Sequence, residues 1–351
     1  MRNKIILGLL VLISVSFMLL VNGCGTVAGG GGGGGGAAAA AWTYFGNDKT
    51  NCIYYYYIAP DSITISGTIE LGGYSPYHIA ASPDFKKLYV STDSLKIFVI
   101  DTGTNAITSL ITLDAPAGAS LSKAMCVSSD GKCLYTGVQT SNIYKVYLET
   151  GTYESAPLGG FVESIALSPD ETKVYFGLDD KTIRKVNAST LGGNTPVATG
   201  GASFCQGMAV KDGKLYCPIN QAGTNECIII YTGTDTSESI FGPAGSSTFY
   251  SAVAIPGTNE VYISSRLMNG RIYILNTSVP TIETAYISDG DNLAFPDYMA
   301  VTADGKYVCV MDLPSTHGRI GYINTTARTV EAYTTIEAST LQVNNIVIVY
   351  K

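Results

Sequence analysis

Side chains able to ionise or hydrogen-bond recur at one place relative to a turn. Tyr77 and His78, Lys123, Glu163, Gln206, Tyr250 and Ser251, and Asp297 and Tyr298 stand six or seven positions before Asp84, Asp130, Asp170, Asp212, Gly257 and Asp304. Asn344 and Asn345 close the chain with a related pair. If these positions converge, a histidine, a lysine and two carboxylates would perturb one another's pKa values. Oxygen ligands from Glu163, Asp297 and Asn345 are the candidates for a divalent cation, the first two being the carboxylates. No GxSxG, HExxH or EF-hand stretch accompanies them. The simpler alternative is a set of solvated rim residues, each capping a strand end.

What must position these residues is an internal repeat. The segments "HIAASPDFKKLYVSTDSLKIFVIDTGTNAITSLITL", "SIALSPDETKVYFGLDDKTIRKVNASTL" and "YMAVTADGKYVCVMDLPSTHGRIGYINTTARTVEAYTTI" begin at His78, Ser164 and Tyr298. Each reads as an apolar strand, an Asp-containing turn, a strand with an aromatic, a polar loop, a third apolar strand and a fourth β-rich stretch. Less regular copies begin at Lys123, Gly207 and Ala252. The turn residues are spaced by 46, 40, 42, 45 and 47, a period that suits four-stranded propeller blades. Pro-Asp or Asp-Gly makes the hairpin. Tyr89, Tyr135, Tyr175, Tyr216 and Tyr262 follow it at a fixed place, taken by Cys309 in the last copy. They are expected to pack between sheets. Asp101, Asn276 and Asn324 end third strands as turn formers.

The strand count predicts closure. "TYFGND", "CIYYYYIAPD" and "SITISGTIEL", between Thr43 and Leu71, supply second, third and fourth strands without a first. "NNIVIVYK", Asn344 to Lys351, is a first strand without the others. Joined, they complete a seventh blade, removing two exposed sheet edges. The predicted fold is therefore all-β: a seven-bladed propeller of four-stranded antiparallel blades, closed by the C-terminal strand. In "YYYY", Tyr54 to Tyr57, alternation sends two rings to each face, for packing between blades.

The motif SPDxKKLYVS…IFVIDTxTNxI resembles the YVTN family of seven-bladed β-propellers. As a pattern it covers most of Trp42 to Lys351, most closely in the copies from His78, Ser164 and Tyr298. The resemblance implies the fold and a place in bacterial surface or periplasmic proteins, but no defined chemistry. Related propellers include lactonases.

The front of the chain implies an address. Arg2 and Lys4 precede an apolar run from Ile5 to Val21 that ends in Val21-Asn22-Gly23-Cys24. This resembles a bacterial lipoprotein signal, implying cleavage before Cys24, lipidation of its sulfur and stable membrane anchoring. Gly25 following the cysteine leans towards the outer membrane or surface, with anchoring to the cell membrane or the outer membrane through the lipidated Cys24. Eight glycines (Gly29 to Gly36) and five alanines then form a tether. Its 17 residues, Gly25 to Ala41, would span roughly 20–25 Å as flexible coil. The expected organisation is a signal peptide over 1–23, the lipidated cysteine and tether over 24–41, and the propeller over 42–351.

Charge excludes one class. The body carries 19 basic and 28 acidic residues, a net charge of −9 with no basic stripe, so nucleic acid is not an expected partner. Charged residues make up 14% of the chain, against about 25% in an average one. Seven cysteines remain besides Cys24: Cys52, Cys126, Cys133, Cys205, Cys217, Cys227 and Cys309. Export permits disulfides, and Cys126 with Cys133, or Cys205 with Cys217 or Cys227, could meet in neighbouring strands. No Cys or His spacing suggests zinc, and His78 and His317 are the two histidines.

Two functions from different classes follow. The preferred one is a membrane-tethered, extracytoplasmic, monomeric module that binds a protein or glycan with its propeller face. The other is an extracytoplasmic metal-dependent lactonase or hydrolase with its site in the central channel. No cofactor is predicted beyond that divalent cation.

Overall fold

The computed structural model describes residues 41–59, 62–115, 119–199, 205–220, 225–244, 248–266, 270–288, 293–313, 318–336 and 343–350. The leader, Cys24, the tether up to residue 40 and His317 lie outside the described residues.

Seven four-stranded antiparallel sheets make up the fold. The first contains β1 (Ala41–Asn47), β2 (Cys52–Ala59) and β3 (Ser62–Glu70). The second runs β4 (Pro76–Ala81), β5 (Lys87–Thr92), β6 (Lys96–Asp101) and β7 (Ala106–Thr112). The third runs β8 (Leu121–Val127), β9 (Cys133–Val138), β10 (Asn142–Tyr147) and β11 (Tyr153–Pro157). The fourth runs β12 (Val162–Leu167), β13 (Lys173–Leu178), β14 (Thr182–Asn187) and β15 (Thr195–Thr199). The fifth runs β16 (Ala209–Lys211), β17 (Lys214–Pro218), β18 (Glu226–Tyr231) and β19 (Thr236–Phe241). The sixth runs β20 (Phe249–Ala254), β21 (Glu260–Ser265), β22 (Arg271–Asn276) and β23 (Thr281–Ile287). The seventh runs β24 (Pro296–Val301), β25 (Tyr307–Asp312), β26 (Gly318–Asn324) and β27 (Thr329–Ile336).

The remaining strand, β28 (Val343–Tyr350), pairs antiparallel with β1, from Ala41↔Tyr350 to Phe45↔Ile346. The first blade is therefore β28-β1-β2-β3, as the strand count predicts. The innermost strands touch in the cyclic order β28, β4, β8, β12, β16, β20, β24 and back to β28. The ring is a closed seven-bladed propeller.

The core consists of seven apolar layers, one between each pair of adjacent blades. Inner strands have a blade on each side, so both faces of the pleat are buried. In β5, Leu88 and Val90 face blade 1 while Tyr89 faces blade 3. This is why the inner strands read as continuous apolar runs. Outer strands read differently; most of β7 is exposed.

The recurring tyrosines enter these layers, as does Cys309 between blades 7 and 1. Several also reach the next blade's turn after its third strand. The hydroxyl of Tyr135 donates to Ala188 O at 2.9 Å, Tyr175 to Asp235 at 2.8 Å and Tyr262 to Thr325 O at 3.2 Å. Tyr44 does the same from blade 1, donating to Asn105 at 2.7 Å. Tyr54 and Tyr56 face the blade 7 side and Tyr55 the blade 2 side, the alternation expected of "YYYY".

Four of the hairpins share one hydrogen-bond pattern. Ser82, Ser128, Ser168 and Thr302 donate side-chain hydroxyls to Asp84, Asp130, Asp170 and Asp304 at 2.6–2.7 Å. Each Asp accepts again from a backbone N–H two residues on. The intervening residue has positive φ, supplied by Gly131 and Gly305 in two turns and by Phe85 and Glu171 in the others. Glycine takes this conformation freely, whereas each side chain there costs about 1 kcal/mol.

Candidate functional site at the channel mouth

The inner strands converge on a cavity of about 70 Å³. Each of the seven blades contributes a polar residue to its lining, in order Asn345, His78, Lys123, Glu163, Gln206, Ser251 and Tyr298, and Ser164 adds another. Met125, Ile165, Met208, Val253 and Met299 also line it, forming an apolar part. Most of these stand two residues beyond a polar member, a period-two signal present in the sequence.

A backbone feature recurs here. At this end the ladder between first and second strands is irregular in most blades. The breaks fall at Phe45/Asn47, Pro76/His78, Leu121/Met125, Val162/Ser164, Phe249/Ala252 and Pro296/Met299. Bulges add twist and re-aim side chains, and they are frequent at barrel rims and next to active sites. They decide which member of each adjacent pair lines the cavity. His78, Ser251 and Tyr298 do so; Tyr77, Tyr250 and Asp297 do not. Nothing is described of the Asn344 side chain.

Asp297 shows the consequence. It is 1% exposed, with Oδ1 2.8 Å from Nε of Arg266. Burial pushes its carboxyl up to about 7, with Arg266 opposing and Asp312 adding to the rise. Asp312 is itself buried, accepting from the Ala294 and Phe295 backbone and pairing with Arg319 at 3.0 Å. Arg266 and Arg319 carry no motif, and only the fold brings them to these acids. The two carboxylates expected as cation ligands therefore part: Glu163 borders the cavity and Asp297 is packed against an arginine. Among the described residues, no three of His, Cys, Asp and Glu are grouped to hold a metal ion.

Tyr250 packs edge-on against Tyr298, with centroids 5.5 Å apart and hydroxyls 3.3 Å apart, and Arg266 lies 4.8 Å from its ring centre. Tyr77 lies under Lys123, whose Nζ is 5.7 Å from the ring centre. Asn345 Nδ2 donates to Nε2 of His78 at 2.9 Å and to Ile79 O at 2.8 Å. Burial lowers His78 to about 3, so the imidazole is neutral and its Nδ1 carries the proton, as that network assigns it. Burial raises Glu163, with Lys123 pulling it down and Asp179 pushing it up. Two residues before Glu163, Phe161 is 44% exposed, its backbone N–H held at 2.7 Å by Asp179.

No family model matches the chain, and no curated protein matches it. Solved structures do. Kuenenia stuttgartiensis hydrazine synthase aligns with a TM-score of 0.59 and 16% identity, over 71% of this chain and 76% of that one. A chain in the crystal structure of the mitotic checkpoint complex gives 0.58 and 16%, over 75% and 81%. The Myceliophteria thermophila Cps50 (Swd1) β-propeller domain gives 0.63 and 11%, over 76% and 87%. At these identities the likeness is one of fold.

Proposed function

We propose that the chain is a membrane-tethered, extracytoplasmic recognition module that binds a partner with the propeller face at the channel mouth. The YVTN-like repeats build the disc, and the lipoprotein-type leader with Cys24 holds it near a membrane on the Gly/Ala tether.

One observation carries this reading. Where folding constrains the repeats, their residues recur: Tyr in the second strand, Ser/Thr-x-Asp in the hairpin. At the mouth, seven equivalent positions carry different side chains converging on one cavity. Folding does not require that variety; recognition does. Size argues the same way. Ligand pockets run to roughly 300–1,000 Å³, so a 70 Å³ cavity admits one small group of a larger partner.

The test is crosslinking in cells followed by mass spectrometry, comparing the native chain with Cys24→Ala. The reading predicts a few partners that depend on the anchor and crosslinks clustered on the mouth face. Partners unaffected by Cys24→Ala, or crosslinks spread around the disc, would overturn it.

A further inference from the structure

Two acceptors on adjacent blades line the cavity without partners. Among the described residues, no ion pair or hydrogen bond reaches the Glu163 carboxylate, though it is half-buried. Beside it, Gln206 Oε1 is buried with no hydrogen-bond partner. An unpaired buried acceptor costs on the order of 1–3 kcal/mol, so Gln206 Oε1 would gain from a donor, and the half-buried Glu163 carboxylate beside it would add its charge to the attraction.

The remaining lining sets the donor's charge. His78 is neutral and already accepts from Asn345. Tyr298 brings an aromatic ring to the wall, which suits a cation. Lys123 is the one cationic side chain among the described lining residues; it is exposed and lies over Tyr77. The body's net charge of −9 draws cationic partners. An ammonium group brings three donors and no acceptor, and its size suits the cavity, whereas a sugar ring's does not.

We propose that the mouth cavity receives one primary ammonium group, a lysine side chain on a basic segment of a partner protein, with Glu163 and Gln206 as its acceptors. This rests on the recognition reading above. Lys123 repels the incoming charge and sets how tightly it binds.

The experiment is calorimetric titration of the mature chain with the tripeptide Gly-Lys-Gly, with Gly-norleucine-Gly and Gly-Glu-Gly as controls, all three N-acetylated and C-amidated so that the lysine side chain supplies the one ammonium group. The lysine peptide binds and the norleucine peptide, lacking the amine, does not. Glu163→Gln and Gln206→Leu each weaken binding by about tenfold or more, since each removes a hydrogen bond to a charged group. Lys123→Gln strengthens it. A thermal melt of each variant checks folding. Preference for Gly-Glu-Gly, lost in Lys123→Gln, would make this an anion site and overturn the inference. Calcium displacing the peptide in a Glu163-dependent way would overturn it too. No peptide binding while crosslinks still map to the mouth face would remove the ammonium inference alone; loss of both results would remove the recognition reading as well.

Discussion

The amide of Asn345 hydrogen-bonds the imidazole of His78 across 267 residues of sequence, at 2.9 Å. Asn345 lies on the last strand and His78 on the first strand of the second blade. A second bond from the same amide to Ile79 O, at 2.8 Å, completes the link. Closure of the ring is thus recorded at the mouth itself. It is recorded at the other end of β28 too, where Tyr350 accepts from the Ala303 N–H at 2.6 Å and packs edge-on against Phe85. One residue there contacts both neighbouring blades.

Removing residues 343–351 should therefore open the ring. Ile346, Val347, Ile348 and Val349 are each at most 5% exposed. At roughly 1.5–3 kcal/mol per buried aliphatic side chain, they contribute about 6–12 kcal/mol, comparable with a whole domain's net stability of about 5–15. Differential scanning calorimetry of the truncated chain should show no cooperative native transition. A melt like that of the intact protein would refute the clasp.

His78 and Asp297 should give opposite pH dependences. Asp297 has its pKa raised to about 7, so its contribution is complete below about pH 4 and lost as pH rises through 7. His78 has its pKa lowered to about 3, so it destabilises the fold as pH falls from about 6.5 towards 3. Asp297 is fully buried while His78 borders the cavity, where solvent screens it, so the aspartate should dominate near neutrality. Its shift corresponds to about 4 kcal/mol at most. Urea unfolding at pH 5 and pH 8 should show Asp297→Asn losing the fall in stability with pH and His78→Gln steepening it. Identical profiles for the two variants would contradict this assignment.

The tyrosine links between blades can be weighed against one another. Tyr175 donates to Asp235, which also binds Lys173 and Lys185. Burial alone would raise Asp235, but these hydrogen bonds bring it down to about 2. Tyr175→Phe, which removes a bond to a charged group, should cost about 1.5–3 kcal/mol; Tyr135→Phe, which removes one to a carbonyl, about 1 kcal/mol. Chemical denaturation curves would report the order, and a larger loss for Tyr135→Phe would count against it.

The cysteines allow a further check. All seven described cysteines are free thiols. Cys205 bridges to Ile219, and with Cys217 it shares the layer between blades 4 and 5; Cys227 belongs to the layer between blades 5 and 6. Oxidation should therefore join Cys205 to Cys217 and spare Cys227. Peptide mapping under non-reducing conditions after export to an oxidising compartment would show this pair. Any link involving Cys227 would run against it.

Much of this molecule was legible in one dimension. Strand boundaries follow from apolar runs and from Ser/Thr-x-Asp turns, which act over a few residues. The period near 44 gave the blades, and unmatched strands at Asn344–Lys351 and Thr43–Leu71 gave the clasp. The ring positions were legible to within one residue, and that uncertainty mattered. Side chains alternate faces, so Asp297 or Tyr298, Tyr250 or Ser251, cannot be told apart once a bulge intervenes. Nor does anything near Asp297 announce Arg266, which follows β21 of the neighbouring blade.

The sequence by itself determined the repeat, the number of blades and the strand that closes them, because short-range polarity and turn chemistry are written in adjacent residues. The tertiary structure alone decided which side chains line the mouth, and that Glu163 borders the cavity while Asp297 is paired away from it. Those outcomes depend on bulges and on neighbours from other blades, whose positions no local stretch of sequence encodes.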